Sequence, residues 1–250
     1  MGRVAAAVLA LALLSACGGG GSGNTDGAVP PAGGTTGGEV STPEEELVQG
    51  CLHPDEARAV TIESGSTLEA AVLGDGPVGV VLAHELGGSL CNWAPIAPNL
   101  ADEGYLVLVF NSAAPATTAS DMLAAAEKLR DLGARRIIVG GASLGGTAAL
   151  MTAVRARNIV GAFSLSAPTS YGDLEGLPAV RRFRGPILFV VGAEDSRFAL
   201  DARRLYRSAV SSEKELLIVA GSEHGTELYD GPAAERVRRA VEDLLEAAAP

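Results

Sequence analysis

Hydrophobic and polar residues follow one another along this chain in two alternating patterns. From about residue 45 onward, short and nearly unbroken apolar runs are separated by longer segments that have helical spacing. Unbroken apolar runs of this length are typical of strands in a sheet that is covered on both faces. The sequence therefore predicts an α/β fold, with a mainly parallel sheet and helices on both of its faces.

The predicted strands and helices come in a regular order. The first two strands, in "AVTIE" and "LEAAVLG", are expected to pair antiparallel. The later strands are expected in "VGVVLAH", "YLVLVF", "RRIIVGG", "VGAFSLSA", "PILFVVG" and "KELLIVAG". Helices are predicted over Trp93–Glu103, Ser120–Leu132, Leu144–Arg157, Phe198–Ser208 and Ala233–Ala248. Because sites in such sheets form at the carboxyl ends of the strands, the loops after these strands are where chemistry is expected.

The N-terminal segment has the pattern of an export signal. Arg3 precedes the apolar run "VAAAVLALALL", which is short for a transmembrane helix, and small residues follow it. Residues 1–16 are therefore predicted to be a signal peptide. The tetrad "LSAC", ending at Cys17, resembles the lipobox of bacterial lipoproteins, whose cysteine is lipidated and becomes the new N-terminus. We expect export and a lipid anchor at the extracytoplasmic face of the bacterial cell membrane; the alternative is secretion with Cys17 free.

A second segment, residues 17–44, is predicted to be a flexible tether. It is rich in Gly, Ser, Thr and Pro and has almost no large apolar residue, so it cannot bury a core. About 25 such residues would span roughly 25–30 Å, enough to hold a folded body away from a membrane surface. The folded domain is expected over residues 45–250.

Composition and charge narrow the possible partners. The chain has 250 residues, of which 47% are hydrophobic and 20% charged, as in an ordinary globular protein. Its net charge of −11 argues against a nucleic-acid partner, because few groups would neutralise the phosphates. The three histidines are scattered without the spacing of metal ligands, and no phosphate-loop lysine follows the glycines. Neither a metal nor a cofactor is expected.

Two cysteines remain once Cys17 is assigned to the lipid. Export would place Cys51 and Cys91 where disulfides persist. A bridge that closes a loop of about 40 residues would contribute roughly 4 kcal/mol in the chain-entropy model. We expect the disulfide; the alternative is a pair of buried free thiols.

The stretch "IIVGGASLGGTAAL" contains the strongest chemical motif of the chain. Gly141, Ser143 and Gly145 form a G-x-S-x-G pattern between a predicted strand and a predicted helix. In that context the pattern is typical of a nucleophile elbow, in which a strained turn displays the serine above the sheet. The helix N-terminus that follows favours developing negative charge. Ser143 is therefore the candidate nucleophile.

A serine hydroxyl needs a base, and the base needs an orienting acid. Of the three histidines, only His224 follows Ser143, in the loop after the last strand, as the serine–acid–histidine order of this elbow requires. The acid is expected at the end of the strand "PILFVVG", where Glu194 and Asp195 follow. Asp195 is favoured because it lies a few residues past the terminal glycine of that strand, and Glu194 is the alternative.

These motifs, in this order over residues 57–250, resemble the α/β-hydrolase family. The loop "AHELGGSLCNW" and the compact length are most similar to its dienelactone hydrolase-like and small serine-esterase branch. Most members carry His-Gly in that loop, whereas this chain has His84 followed by Glu85. Dienelactone hydrolases also place a glutamate there, but they use a cysteine nucleophile where this chain has Ser143. That difference weakens the case for lactone chemistry and leaves acyl transfer intact.

The resemblance also implies an oxyanion hole and an open site. The hole would be formed by the backbone N–H groups of Leu144 and of Leu86, with Glu85 as the alternative to Leu86. His84 is expected to hold the loop in place. Glu85 is either an exposed loop carboxylate or a pocket residue that disfavours anionic substrates. Only about fifteen residues separate "VGAFSLSAPTS" from "PILFVVG", which predicts a minimal lid or none.

The function expected from these features is a serine hydrolase. It would cleave a carboxylic ester, with amide and lactone bonds as further candidates, through an acyl-enzyme on Ser143. The alternative is a non-catalytic binding or scaffold protein that retains the hydrolase fold. The expected partners are a small acyl substrate and, through the lipid anchor, a membrane; the sequence gives no prediction of oligomeric state.

Overall fold

A computed structural model describes residues 46–249. The predicted signal peptide, Cys17 and the predicted tether therefore lie outside the described residues. The main sheet has eight strands in the order β1-β2-β4-β3-β5-β6-β9-β10, and a second sheet pairs β7 with β8. The strand bounds are β1 Ala57–Glu63, β2 Thr67–Leu73, β3 Val78–Ala83, β4 Leu106–Phe110, β5 Arg136–Ala142, β6 Ile159–Leu165, β7 Ser170–Tyr171, β8 Leu174–Glu175, β9 Ile187–Gly192 and β10 Lys214–Val219.

Most of the main sheet is parallel. The pairs β1–β2 and β2–β4 are antiparallel, and each of the other neighbouring pairs is parallel. The predicted opening antiparallel pair and the mainly parallel sheet are both confirmed. The carboxyl ends of the parallel strands β3, β4, β5, β6, β9 and β10 consequently share one edge of the sheet.

Helices cover both faces of the main sheet. Their bounds are α1 Ala97–Asp102, α2 Thr118–Asp131, α3 Leu144–Ala153, α4 Gly176–Val180, α5 Ser196–Ser208 and α6 Ala234–Ala248, with short 3-10 helices at Leu90–Trp93 and Gly225–Tyr229. Helices α2 to α5 pack on one face, and α1, α6 and the 3-10 helices pack on the other. Both clusters are apolar, which explains why the strands between them carry almost no polar residue.

The strand β3 illustrates how the sequence is divided between the two faces. Val81 and Ala83 belong to one apolar cluster, while Val80 and Leu82 belong to the other. All four side chains are fully buried. Because successive side chains of a strand point to opposite faces, a strand that is covered on both sides must be apolar at every position.

The predicted helix Trp93–Glu103 is wrong in its first half. The chain forms a 3-10 helix that ends at Trp93, and α1 starts only at Ala97. Pro95 lies between the two helices, and proline lacks the N–H that would continue a helical hydrogen-bond ladder. Trp93 is fully buried, where it meets Phe163 and Tyr229 edge-on.

The connection between β6 and β9 contains more structure than the sequence predicted. It holds the β7–β8 hairpin and α4, neither of which the hydrophobic pattern indicates. The connection remains short, so the expectation of a minimal lid holds. Tyr171, in the hairpin, is 39% exposed.

Cys51 and Cys91 form a disulfide, with their Cα atoms 5.7 Å apart. The bond joins the turn at residues 48–52 to the 3-10 helix Leu90–Trp93. Within residues 46–249, the helices are all too short or too polar to cross a bilayer.

Candidate active site

Ser143 lies at the carboxyl end of β5, in a strained turn into α3. Its backbone has φ 48° and ψ −113°, a conformation that a non-glycine residue rarely adopts. The turn is fixed by its own backbone: Ser143 N–H donates to the Leu165 carbonyl at 2.7 Å, and its carbonyl accepts from Thr147 N–H at 3.1 Å. Every residue of α3 is buried, so a shift of the helix that relieved the strain would disrupt its packing.

The two glycines of the motif allow the chain to turn this closely. A Cβ on Gly141 would overlap the backbone of Gly145, one turn further along. A Cβ on Gly145 would overlap the backbone carbonyls of Ala83 and His84, at the end of the neighbouring strand β3. Strand, turn and helix therefore pack together at a distance that only glycine permits.

Asp195 and His224 meet at the same edge of the sheet, although they come from different loops. Asp195 follows β9 and His224 follows β10. His224 Nδ1 donates to Asp195 Oδ2 at 2.8 Å. The Asp195 side chain is 11% exposed and that of His224 is 30% exposed, so the pair is largely shielded. Glu194, the alternative acid, makes no side-chain hydrogen bond to His224 in the described part of the chain.

Ser143 and His224 line one cavity of about 270 Å³. Its wall consists of Glu85, Leu86, Ser143, Leu144, Pro168, Tyr171, Arg197, Phe198 and His224. With Nδ1 bonded to Asp195, Nε2 is the ring nitrogen of His224 left for the cavity. Within residues 46–249, no hydrogen bond joins it to Ser143 Oγ; in ligand-free hydrolases such bonds are often long and tighten only when substrate binds.

The predicted oxyanion donors line the same cavity. Leu144 is the first residue of α3, and the first N–H groups of a helix have no intrahelical partner. The Leu86 N–H also donates to no group in residues 46–249. Neither N–H group therefore has a backbone acceptor among the described residues.

His84 holds the loop that carries Leu86. Ser112 N–H donates to its Nε2 at 3.3 Å, which places the ring proton on Nδ1. Nδ1 donates that proton to the Glu85 carbonyl at 2.7 Å. The imidazole thus bridges the ends of β3 and β4. Because the sequence predicts an oxyanion donor at Leu86, we call residues 84–88 the oxyanion loop.

The sequence left two possible places for Glu85, an exposed loop or the pocket, and the structure places it in the cavity wall. It is half-buried, and its Oε1 accepts from Asn92 Nδ2 and from Thr226 Oγ1, each at 2.8 Å. Its Oε2 is buried and has no partner in the described residues. The carboxylate therefore faces protein groups and is not a free charge on an exposed loop.

Sequence reasoning missed four residues of the cavity wall, Pro168, Tyr171, Arg197 and Phe198. The centroids of the Phe198 and His224 rings lie 4.2 Å apart. The Arg197 guanidinium lies over the Phe198 ring, 5.5 Å from its centroid. Their position in the first turn after the candidate acid was a usable signal, because that turn must border the cavity. Tyr171 lines the cavity from the unpredicted hairpin, and the sequence carried no comparable signal for it.

The remaining candidate groups do not converge. His53 precedes β1, far along the chain from the motifs above. Across residues 46–249, no three His, Cys, Asp or Glu side chains cluster in a way that would hold a metal ion.

Comparison with known proteins bears on the fold. No family model and no curated protein matches the sequence. Among solved structures, an esterase from Pyrococcus furiosus aligns with a TM-score of 0.67 and 18% identity, over 76% of this chain and 92% of its own. A dienelactone hydrolase from Anabaena variabilis aligns with a TM-score of 0.66 and 21% identity, over 76% and 97%. A monoacylglycerol lipase from Paleococcus ferrophilus gives 0.63 and 17%, over 73% and 99%.

Sheet order, helix placement and these likenesses define the class of fold. The chain has the α/β-hydrolase fold, as the sequence predicted. At 17–21% identity the likeness extends to the fold alone, so function must be argued from the site.

Proposed function

We propose that this protein is a serine hydrolase that cleaves small carboxylic esters, with Ser143, Asp195 and His224 as its catalytic triad. The observation that carries the proposal is that Ser143, held at φ 48°, lines the same cavity as His224, whose ring donates a 2.8 Å hydrogen bond to Asp195. The esterases among its structural neighbours support ester chemistry in general. A scaffold protein without activity would have no need to retain a strained serine next to an oriented imidazole.

The geometry supports a two-step acyl transfer. His224 Nε2 takes the proton of Ser143 Oγ as the oxygen attacks the ester carbonyl, and Asp195 stabilises the imidazolium that results. The developing oxyanion is bound by the N–H groups of Leu86 and Leu144. His224 then gives its proton to the leaving alkoxide, which departs as the alcohol and leaves an acyl group on Ser143. Water, activated by His224 in the same way, releases the carboxylic acid and restores the serine.

The cavity supports a small acyl group. Its volume of about 270 Å³ lies near the lower end of the range usual for ligand pockets. Its wall combines apolar side chains with two opposite charges, Glu85 and Arg197. Esters with short acyl chains are the proposed substrates, ahead of amides and lactones.

The test is a panel of p-nitrophenyl esters of increasing acyl length, with a lactone and an anilide added. Ser143→Ala and His224→Ala should each lower kcat by about 10⁴–10⁶-fold. Ser120→Ala and His53→Ala replace the same residue types outside the cavity and should leave kcat unchanged. Wild-type protein that hydrolyses nothing, or a Ser143→Ala variant that keeps its activity, would overturn the proposal.

We also propose that the enzyme acts at the extracytoplasmic face of a bacterial membrane, anchored through lipidated Cys17. Only the sequence motif supports this, because Cys17 lies outside the described residues. Cys17→Ser should move the protein from the membrane fraction to the soluble fraction, since a multiply acylated terminus holds firmly where a single chain does not. An unmodified Cys17 in protein extracted from membranes would contradict the anchor.

A further inference from the structure

One carboxylate oxygen connects the oxyanion loop to the loop that carries His224. Glu85 lies in the oxyanion loop, directly before Leu86. Its Oε1 accepts from Thr226 Oγ1 at 2.8 Å, and Thr226 lies two residues after His224. The two residues are 141 positions apart in the sequence, so this hydrogen bond joins parts of the site that share no local structure.

The His224 loop packs closely on Glu85. Thr226 is only 7% exposed, so its hydroxyl has little access to water as an alternative partner. Gly225 has φ 60°, and a Cβ there would lie 3.5 Å from Glu85 Oε2 and 3.3 Å from the Ala142 Cβ. The loop therefore rests against the carboxylate on one side and the end of β5 on the other.

Glu85 is itself held from the opposite direction. Asn92 Nδ2 donates to the same Oε1 at 2.8 Å, while Asn92 Oδ1 accepts from Ser89 N–H at 2.7 Å. Asn92 adjoins Cys91, whose disulfide to Cys51 fixes the 3-10 helix. Asn92 and Thr226 therefore hold the Glu85 carboxylate from two different parts of the fold.

We propose that Glu85 is a positioning residue that sets the oxyanion donor Leu86 in register with the base His224. This inference rests on the proposed hydrolase function. Glu85 acts through the acceptor Oε1, and its charge is not required, because both groups that donate to Oε1, the Asn92 amide and the Thr226 hydroxyl, are neutral. A glutamine can place its carbonyl oxygen where Oε1 lies and its amide group where Oε2 lies, so it should preserve both hydrogen bonds.

The experiment compares Glu85→Ala, Glu85→Gln and Thr226→Val in ester hydrolysis. Glu85→Ala should lower kcat by up to about 10²-fold with little change in KM, because small errors in the placement of reacting groups cost that much. Glu85→Gln should recover at least about tenfold of that loss. Thr226→Val should lower kcat by less than Glu85→Ala does. The double variant Glu85→Ala/Thr226→Val should have the same kcat as Glu85→Ala alone, because both substitutions remove the same hydrogen bond.

A second pair of residues provides the matched control. Thr67 Oγ1 donates to the Glu63 carboxylate at 3.0 and 3.1 Å, on the exposed hairpin formed by β1 and β2. Glu63→Gln and Thr67→Val make the same chemical changes away from the cavity. Both should leave kcat and KM unchanged.

Hydrogen–deuterium exchange separates this inference from the proposed function. Glu85→Ala should raise exchange in residues 84–92 and 223–229 together, whether or not the protein hydrolyses esters, whereas Glu85→Gln should not. Exchange that stays unchanged in both segments would overturn the link. Equal kcat losses in Glu85→Gln and Glu85→Ala would overturn the claim that the acceptor, and not the charge, does the positioning.

Discussion

The Cys51–Cys91 disulfide should contribute both to stability and to turnover. The bridged residues are 40 positions apart in sequence. In the chain-entropy model, closing a loop of that length stabilises the folded state by about 4 kcal/mol. For a domain of this size, 1 kcal/mol shifts Tm by roughly 2–4 °C, so the double variant Cys51→Ser/Cys91→Ser should melt about 8–16 °C lower.

The effect on turnover follows from the position of the bridge. Cys91 lies five residues beyond Leu86, and Gly87 lies between them with φ 79°. Glycine adds little conformational restraint of its own, so contacts such as the disulfide must hold this segment in place. Loss of a whole oxyanion donor typically costs about 10²–10³ in kcat. Loosening the loop should cost less than that and leave KM almost unchanged.

The assay measures Tm by circular dichroism and kcat at a temperature where both proteins are fully folded. Wild-type protein treated with reductant serves as an independent version of the same perturbation. An unchanged Tm would refute the loop-entropy argument, and a lower Tm with unchanged kcat would show that the bridge only stabilises the fold. Two free thiols in the unreduced native protein would remove the basis of both expectations.

Three further predictions test separate parts of the structure. Asp195→Ala should lower kcat far more than Glu194→Ala, because in the described residues the His224 ring donates to Asp195 and not to Glu194; the reverse order in steady-state kinetics would reject the acid assignment. Gly145→Ala should destabilise the fold by about 1–3 kcal/mol or more in urea unfolding, because its Cβ would overlap backbone atoms, and a wild-type midpoint would contradict this. Partial burial is the larger cause that raises the pKa of Glu103 above 4.5, and the nearby Glu242 and Glu246 of α6 raise it further. The free energy of unfolding therefore falls as pH rises above 4.5, the pKa in the unfolded state. Glu103→Gln should accordingly raise Tm at pH 7 but not near pH 3, where the carboxyl is protonated in both states, and equal shifts at both pH values would refute the argument.

The hydrophobic pattern was sufficient to predict most of the sheet. Strands such as β4 and β9 are buried at every position, so burial on both faces leaves a continuous apolar signal in the sequence. The elbow at Ser143 was also predictable, because the close approach at Gly141 and Gly145 excludes any larger residue. Requirements of this kind are local and restrict residue type directly.

Other features depend on tertiary contacts that leave no local pattern. The role of Glu85 depends on Thr226, which follows it by 141 residues, and no spacing rule relates the two. Tyr171 reaches the cavity from a hairpin whose two strands are only two residues long each, too short to show an alternation. The break in the helix predicted from Trp93 had a visible signal in Pro95, but the apolar residues around it favoured a continuous helix.

The central claim, covalent catalysis by Ser143, is tested most directly by labelling the protein with a fluorophosphonate and measuring its intact mass. We expect one adduct per molecule, located on Ser143 by peptide mapping, with ester hydrolysis lost in proportion to labelling. Ser143→Ala should take up no label. An adduct on another residue, or full labelling of Ser143 with activity retained, would contradict the account.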